Sequence, residues 1–366
     1  MNRIAFAVPG DLAAPTGGYG YDRRLIAELQ VLGWQSDVVS VGDGFPQPSA
    51  QQRAVALARL ETLPEGIPVV VDGLALGALP EAAERLARRA PLVALVHHPL
   101  ALETGLSPAD VRKLFESECK ALAAARSVIV TSRATGKRLN ADYDVPPERI
   151  TIAPPGTDRG APAKGRPDRT LRLLSVGAVV PRKGFDVLIA ALASIAGLPW
   201  RLTIAGDLTR APATAAKLEA DIARHRLAGR VDLLGAVSPQ RLGALYPSAD
   251  VFVLASHFEG YGMAYAEAMA HGLPIIGTTG GATADTVPPT AGVLVEPGNV
   301  KALSRALRMV IEDEEERRRL ARGAMAAAAD LPTWENTARI VAAALERLAE
   351  PARPPEGRIP ERKARR

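Results

Sequence analysis

The stretch His257 to Gly272, HFEGYGMAYAEAMAHG, sets one carboxylate, Glu259, ahead of a glycine pair and a second, Glu267, inside the apolar run that follows. The preceding residues ADVFVLAS (249–256) read as a buried parallel strand, so His257 to Gly262 form the loop at its carboxyl end, where open α/β sheets bind ligands. Gly260 and Gly262 permit close backbone approach. A helix from about Met263 to His271, stopped by Gly272 and Pro274, directs its free N–H groups and positive dipole end into the same crevice. This is chemistry for an anion, above all a diphosphate. Glu267 lies one turn into that helix among Ala264, Ala266, Ala268 and Ala270, where an unpaired carboxylate would be costly. The vicinal hydroxyls of a ribose would supply its donors, and Glu259 could accept from a second polyol such as a hexose. A salt bridge from Glu267 to an arginine, with Glu259 capping a turn, is the alternative reading.

The elements that position these groups follow from the apolar pattern. The chain has 366 residues, of which 47% are apolar and 23% charged, which predicts a globular protein with more than one core. Short apolar runs at 3–8, 36–41, 68–72, 92–97, 127–131 and 150–153 alternate with helical patterns at 19–33, 80–89 and 108–125, the rhythm of a parallel sheet. Residues 153–170 are rich in Pro, Gly and charge and read as a linker. The pattern then restarts, with strands near 171–177, 201–205, 230–234, 250–254 and 274–277, helices at 184–196, 300–310 and 313–328, and a final amphipathic helix after Pro332 and Trp334. The residues after Pro351 are Pro-, Arg- and Glu-rich and read as a basic, disordered tail.

The charge balance of +5 suits an anionic partner. A share of only 4% aromatic residues, and the lack of a nucleic-acid motif, argue against nucleic acid. Cys119 is the single cysteine, so no intramolecular disulfide and no cysteine-based metal site is possible. With an N-terminal apolar run too short for a signal peptide and no segment of membrane-spanning length, the expectation is a cytoplasmic protein whose membrane contact, if any, is peripheral. The basic tail could hold it against the anionic inner face of a membrane, or could be a solvated terminus.

The arrangement of Glu259, Gly260, Gly262, Glu267, Ala268, Met269 and Gly272-Leu273-Pro274, followed by GTTGGATADTV, is similar to the Glu-x7-Glu signature of the family 4 retaining glycosyltransferases of the GT-B type. The resemblance extends over nearly the whole chain through PTGGYG, VGAVVPRKGFDVLIAAL, LTIAGD, GRVDLLGAVS, AGVLVEPGN and TWENTARIVAAALERL. It implies an α/β chain with two Rossmann-like parallel-sheet domains facing a central cleft. The expected boundaries are 1–160 for an acceptor domain, 161–331 for a nucleotide-sugar donor domain, 332–350 for a helix crossing back to the first domain, and 351–366 for the tail.

The resemblance also implies roles. Lys183 of PRKG is expected to bind the donor diphosphate with Arg182 as a second clamp, stabilising charge that grows on the leaving phosphate. Many members carry an arginine directly after the glycine of this strand; here Ala178 follows Gly177, and Arg182 is the expected substitute. Glu259 is expected to hold donor-sugar hydroxyls and Glu267 the ribose hydroxyls, with Tyr261 and Met263 on the same donor side and the backbone at Gly260 and Gly262 against the sugar-phosphate. Gly17 and Gly18 match a glycine loop reaching the donor across the cleft, although GGYGYD alone equally describes a strand-helix turn. His97, at a strand end, is expected beside the reacting sugar; His98 and Glu103 are expected on the acceptor side. Ser132 and Arg133 are placed on the acceptor side too, with helix capping by Ser132 the alternative. Asp142-Tyr143-Asp144 spells the Asp-x-Asp of metal-dependent transferases, but its setting before VPPERI favours turn chemistry, and no metal or other cofactor is expected to be required.

The expected activity is retaining transfer of a hexosyl group from a nucleotide-diphosphate sugar, UDP-hexose ahead of GDP-hexose, to a hydroxyl of a glycan, lipid or small molecule. A nucleotide-sugar epimerase, a glycosyl-phosphate synthase or phosphorylase, and a non-catalytic sugar-nucleotide-binding protein remain alternatives on the same scaffold. Oligomeric state is not encoded in any of these motifs.

Overall fold

A computed structural model describes residues 2–163 and 170–349; the basic tail and residues 164–169 of the expected linker lie outside the described residues. Two six-stranded sheets account for the alternating pattern. The first comprises β1 (Arg3–Val8), β2 (Gln35–Ser40), β3 (Val69–Asp72), β4 (Leu92–Val96), β5 (Ser127–Val130) and β6 (Ile150–Ile152), in the order β2-β1-β3-β4-β5-β6. The second comprises β7 (Leu171–Val176), β8 (Trp200–Ala205), β9 (Val231–Leu233), β10 (Val251–Val253), β11 (Ile275–Thr278) and β12 (Gly292–Val295), in the order β12-β11-β10-β7-β8-β9. Neighbouring strands pair in parallel throughout. Strand order reverses between β1 and β3 in one sheet and between β7 and β10 in the other, so each sheet opens a crevice at the carboxyl ends of those strands.

Continuous apolar runs such as VVVD in β3 and LVALV in β4 are fully buried because helices cover both faces of a parallel sheet. One face of the first sheet is sealed by helix Gly17–Val31 together with the last helix, Trp334–Ala349. In that last helix Trp334, Ala338, Val341, Ala342 and Leu345 recur on one face at helical spacing and pack with Ile4, Phe6, Tyr21 and Leu25. The chain therefore returns to the sheet it began with. The two passages between sheets run side by side: Thr157 N–H donates to the Pro332 carbonyl at 2.8 Å, and a Cβ on Gly156 would lie 2.2 Å from the Trp334 nitrogen.

Six helices were not placed by the apolar pattern of the sequence: Ala50–Glu61, Gly73–Leu76, Arg133–Asp142, Pro212–Arg224, Pro239–Leu245 and Thr283–Thr286. Three of them start at a serine whose hydroxyl accepts a backbone N–H, namely Ser49, Ser132 and Ser238. The first helix begins at Gly17 rather than Tyr19, because Thr16 caps it by accepting the Tyr19 N–H. Among the described residues no helix is long and apolar enough to cross a membrane.

Candidate functional site

The loops after β7 and β10 leave the second sheet at its switch point. After β7 the chain makes one turn of 3₁₀ helix, Pro181–Lys183, and enters the next helix through Gly184 at φ +61°. A Cβ on Gly184 would stand 2.1 Å from the Ala255 carbonyl oxygen, so this turn closes onto β10 only with glycine. That contact brings Arg182 and Lys183 to the loop carrying Glu259.

Lys183 Nζ donates to Glu259 Oε1 at 2.6 Å, and the Ser256 hydroxyl donates to the same oxygen at 2.5 Å. Arg182 Nη1 lies 3.7 Å from Glu259 Oε2 and donates to the Phe258 carbonyl at 2.7 Å. Its Nε lies 3.3 Å from Glu103 Oε1, and Glu103 Oε2 lies 3.3 Å from His98 Nε2. The result is one chain of polar contacts that starts at His98 and alternates in charge from Glu103 on the first domain through Arg182 and Glu259 to Lys183 on the second. Burial opposes the charge of Glu259, but Lys183 and Arg182 outweigh it and hold the carboxyl below its usual range. Burial likewise opposes the charge of Glu103, which His98 and Arg182 nevertheless bring down to about 2. For His98 and Lys183 burial is the dominant cause, and it lowers both.

The helix Met263–Ala270 starts at Gly262, whose φ of +93° is left-handed, and no side chain caps it. Its N-terminal end is therefore open for an anion three residues from Glu259. Glu267 projects from the next turn, half-buried, and its Oε2 accepts the Tyr246 hydroxyl at 2.6 Å. No arginine pairs with it among the described residues. Burial raises its pKa against that hydrogen bond. Tyr246 is in turn stacked on His271 at 5.1 Å with planes 9° apart, which fixes the hydroxyl that holds Glu267.

Three candidate positions have local settings that the sequence did not show. A Cβ on Gly260, which was expected to give its backbone to a ligand, would lie 2.0 Å from the His97 carbonyl oxygen, and the Gly260 carbonyl accepts the Thr135 hydroxyl at 3.4 Å. Gly260 is glycine because two domains touch there. Gly17 and Gly18 were expected in a loop; they form the first turn of a capped helix, with the Gly18 Cβ position 3.3 Å from His97 Cδ2 and that of Gly17 3.9 Å from Met263 Sδ. Ser132, for which helix capping was the alternative to a place on the acceptor side, caps its own helix through the Thr135 N–H at 3.0 Å, while Arg133 is exposed beside it. Met263 packs against the first domain's apolar cluster, and the Tyr261 carbonyl accepts the Thr286 hydroxyl at 2.6 Å. In the discounted Asp-x-Asp, Asp142 pairs with Arg138 at 3.1 Å and Asp144 takes a left-handed turn conformation at φ +53°.

His97 is the first residue past β4. Its Nε2 lies 3.1 Å from Asp22 Oδ1 and 3.6 Å from Asp72 Oδ2. Neither aspartate was singled out from the sequence. Asp72 ends the apolar run of β3, a strand-end signal like that of His97; Asp22 sits on the buried face of its helix with Tyr21, Leu25 and Leu29, the same anomaly that marks Glu267. The three residues place potential ligand atoms within 4.8 Å of one another, with Nε2 turned onto both carboxylates.

Sequence comparisons bear on this architecture. A family model described as Glycosyl transferases group 1 matches residues 158–326, and one described as Glycosyltransferase Family 4 matches residues 69–160. The chain is 28% identical over 278 residues to an MMP alpha-(1->4)-mannosyltransferase of Mycolicibacterium hassiacum, an alignment covering 70% of this chain and 65% of that one. It is 30% identical over 263 residues to a D-inositol 3-phosphate glycosyltransferase of a Nocardioides species, covering 65% and 57% respectively. The matches thus span less than two thirds of these relatives' own lengths. In fold the chain resembles sucrose-phosphate synthase from Thermosynechococcus elongatus, with a TM-score of 0.81, 22% identity and coverage of 95% and 99%. It also resembles the Anabaena protein HepE in complex with UDP-glucose, with a TM-score of 0.75, 20% identity and coverage of 94% and 99%. With the two sequence models in tandem over two parallel sheets of this order, the chain belongs to the family 4 glycosyltransferases of the GT-B type.

Proposed function

We propose that the protein transfers a hexosyl group from a nucleotide-diphosphate sugar to a hydroxyl acceptor, with retention at the anomeric carbon and without a required metal. The observation that carries this reading is the convergence of Arg182, Lys183 and Glu259 beside the uncapped N-terminus of helix Met263–Ala270, at the switch point of the second sheet. In this reading the diphosphate lies against that helix end, Lys183 and Arg182 stabilise the charge that grows on the leaving phosphate, and Glu267 accepts the ribose hydroxyls. Glu259 has a second role in holding both cations and a first in receiving sugar hydroxyls. The leaving phosphate takes the acceptor proton on the face it departs from, so no enzyme nucleophile is needed. His98 and Glu103 line the side from which the acceptor approaches.

UDP-hexose is the first donor to test, in keeping with the UDP-glucose bound by a protein of this fold. A thermal-shift series with UDP, GDP, ADP and their sugar conjugates, with and without EDTA, reads binding to the native state directly. The expected result is a rise with one nucleotide family, unaffected by EDTA and abolished in Glu267→Ala. Lys183→Ala and Glu267→Ala proteins that remain folded by circular dichroism should show no detectable hexosyl transfer. Absence of a shift with every nucleotide, or undiminished transfer in either variant, would overturn the reading.

A further inference from the structure

Asp22 and Asp72 have no role in the donor site described above, yet both are buried at the switch point of the first sheet. Asp22 is 0% exposed and Asp72 3%. They come from different elements, the first helix and the end of β3, and meet on the same atom, His97 Nε2. Asp22 Oδ2 is buried with no hydrogen-bond partner. Two charged carboxylates there are unfavourable unless a positive charge faces them; burial pushes Asp22 up to about 7, and the His97 charge is what pulls it down. Asp72 also accepts the Leu74 N–H at 2.6 Å, which fixes its orientation.

The imidazole is held on its other sides too. The edge of Tyr21 packs on it at 5.3 Å, and its Cδ2 lies 3.3 Å from where a Cβ on Gly18 would stand, a tight fit. Nδ1 takes no hydrogen bond from any described residue, and 19% of the side chain stays exposed. The ring is thus anchored at Nε2 and open at Nδ1, with its own carbonyl against Gly260 of the opposite domain.

We propose that Asp22 and Asp72 are positioning residues that hold His97 as an imidazolium, so that Nδ1–H is a fixed, charged hydrogen-bond donor toward the sugar-phosphate of the bound donor. The assignment rests on the glycosyltransferase reading only for the identity of the ligand. Burial alone would lower the pKa of His97, and the two aspartates outweigh it and raise it. The other titratable neighbours are His98, next in the chain, and the Tyr19 and Tyr21 hydroxyls on the first helix; burial is the main cause that raises both tyrosines, keeping them neutral, and it keeps His98 neutral by lowering it. From the second domain the contact with His97 is the backbone of Gly260.

The sign follows directly. His97, raised to about 10, keeps its charge through neutral pH and loses it only on the alkaline side, whereas removing one carboxylate lowers the pKa by ~1–3 units and brings the loss into the range of about pH 7 to 9. Nitrogen-15 NMR of the imidazoles, with His97 assigned by His97→Gln, reads this without any substrate. The wild-type ring should remain doubly protonated from pH 6 to 8, and both Asp22→Asn and Asp72→Asn should titrate at least one unit lower. The second variant guards against a folding defect in the first, since Asn retains the cap on Leu74. A wild-type His97 titrating near 6.5, or unshifted in both variants, would overturn the proposal. With a donor in hand, Asp22→Asn should lose kcat as pH rises through its new His97 pKa and recover on the acid side; equal loss at every pH would also overturn it. An NMR result as expected from a protein that turns over no sugar nucleotide would refute the proposed activity while leaving the charge arrangement standing.

Discussion

Glu259 carries more contacts than a ligand-binding carboxylate requires, and its buried pairing has a measurable consequence. Lys183→Met would remove the cation 2.6 Å from Glu259 Oε1 and leave a buried charge short of its nearest partner. Such a break costs ~3–5 kcal/mol, whereas replacing both members together is far milder. The double variant Lys183→Met/Glu259→Gln, in which Ser256 still finds an oxygen acceptor, should therefore regain at least half of the stability the single variant loses in urea unfolding. A double variant as unstable as the single one would show that the pair is not coupled. Lys183 and Glu259 were each legible as candidates, Lys183 through the family resemblance and Glu259 from the glycine-rich loop after a buried strand, but their pairing appears only when the turn after β7 closes onto β10. Asp22 was not legible, because a helix-face carboxylate reveals its partner only when β3 and β4 bring Asp72 and His97 to it. The hydroxyls that hold the carboxylates, Tyr246 on Glu267 and Ser256 on Glu259, were equally hidden, since neither type announces a partner.

At the level of elements, the strand ends decide how closely the two sheets approach. The turn after β10 meets the end of β4 through backbone atoms, Gly260 against the His97 carbonyl, which is supported from behind by the Thr131 hydroxyl at 3.2 Å. Gly260→Ala should fold normally, because the clash lies between domains rather than within a core. It should open the cleft, measurable as a larger radius of gyration in small-angle X-ray scattering. If the closed form then falls below a tenth of the population, apparent nucleotide affinity weakens about tenfold or more. An unchanged radius and affinity would mean that the contact does not govern closure. Buried strands were the most legible elements, since continuous apolar runs bounded by Gly and Pro have few other readings. The exception is β12, which is only partly buried after Gly292 and runs directly into EPGN. Helix Ala50–Glu61 escaped for the opposite reason: it buries only Ala56 and Leu60, too little to print a periodic stripe.

Across the whole molecule the last helix is part of the first sheet's core. Trp334 is 6% exposed, packs edge-on to Tyr21 at 5.7 Å and lies under the Arg24 guanidinium at 5.2 Å. Truncating such a side chain costs ~3–5 kcal/mol, so Trp334→Ala should lower the thermal midpoint and shift the first domain's unfolding more than the second's. Hydrogen exchange resolved by domain would check this; equal loss in both would place the helix elsewhere in the unfolding order. The paired passages at Gly156 and Trp334 mean that the first sheet is not served by one continuous length of chain. A proteolytic nick between the sheets would therefore leave two fragments still clasped together. During synthesis, the first sheet must wait with one face only partly covered until the ribosome has delivered nearly every described residue.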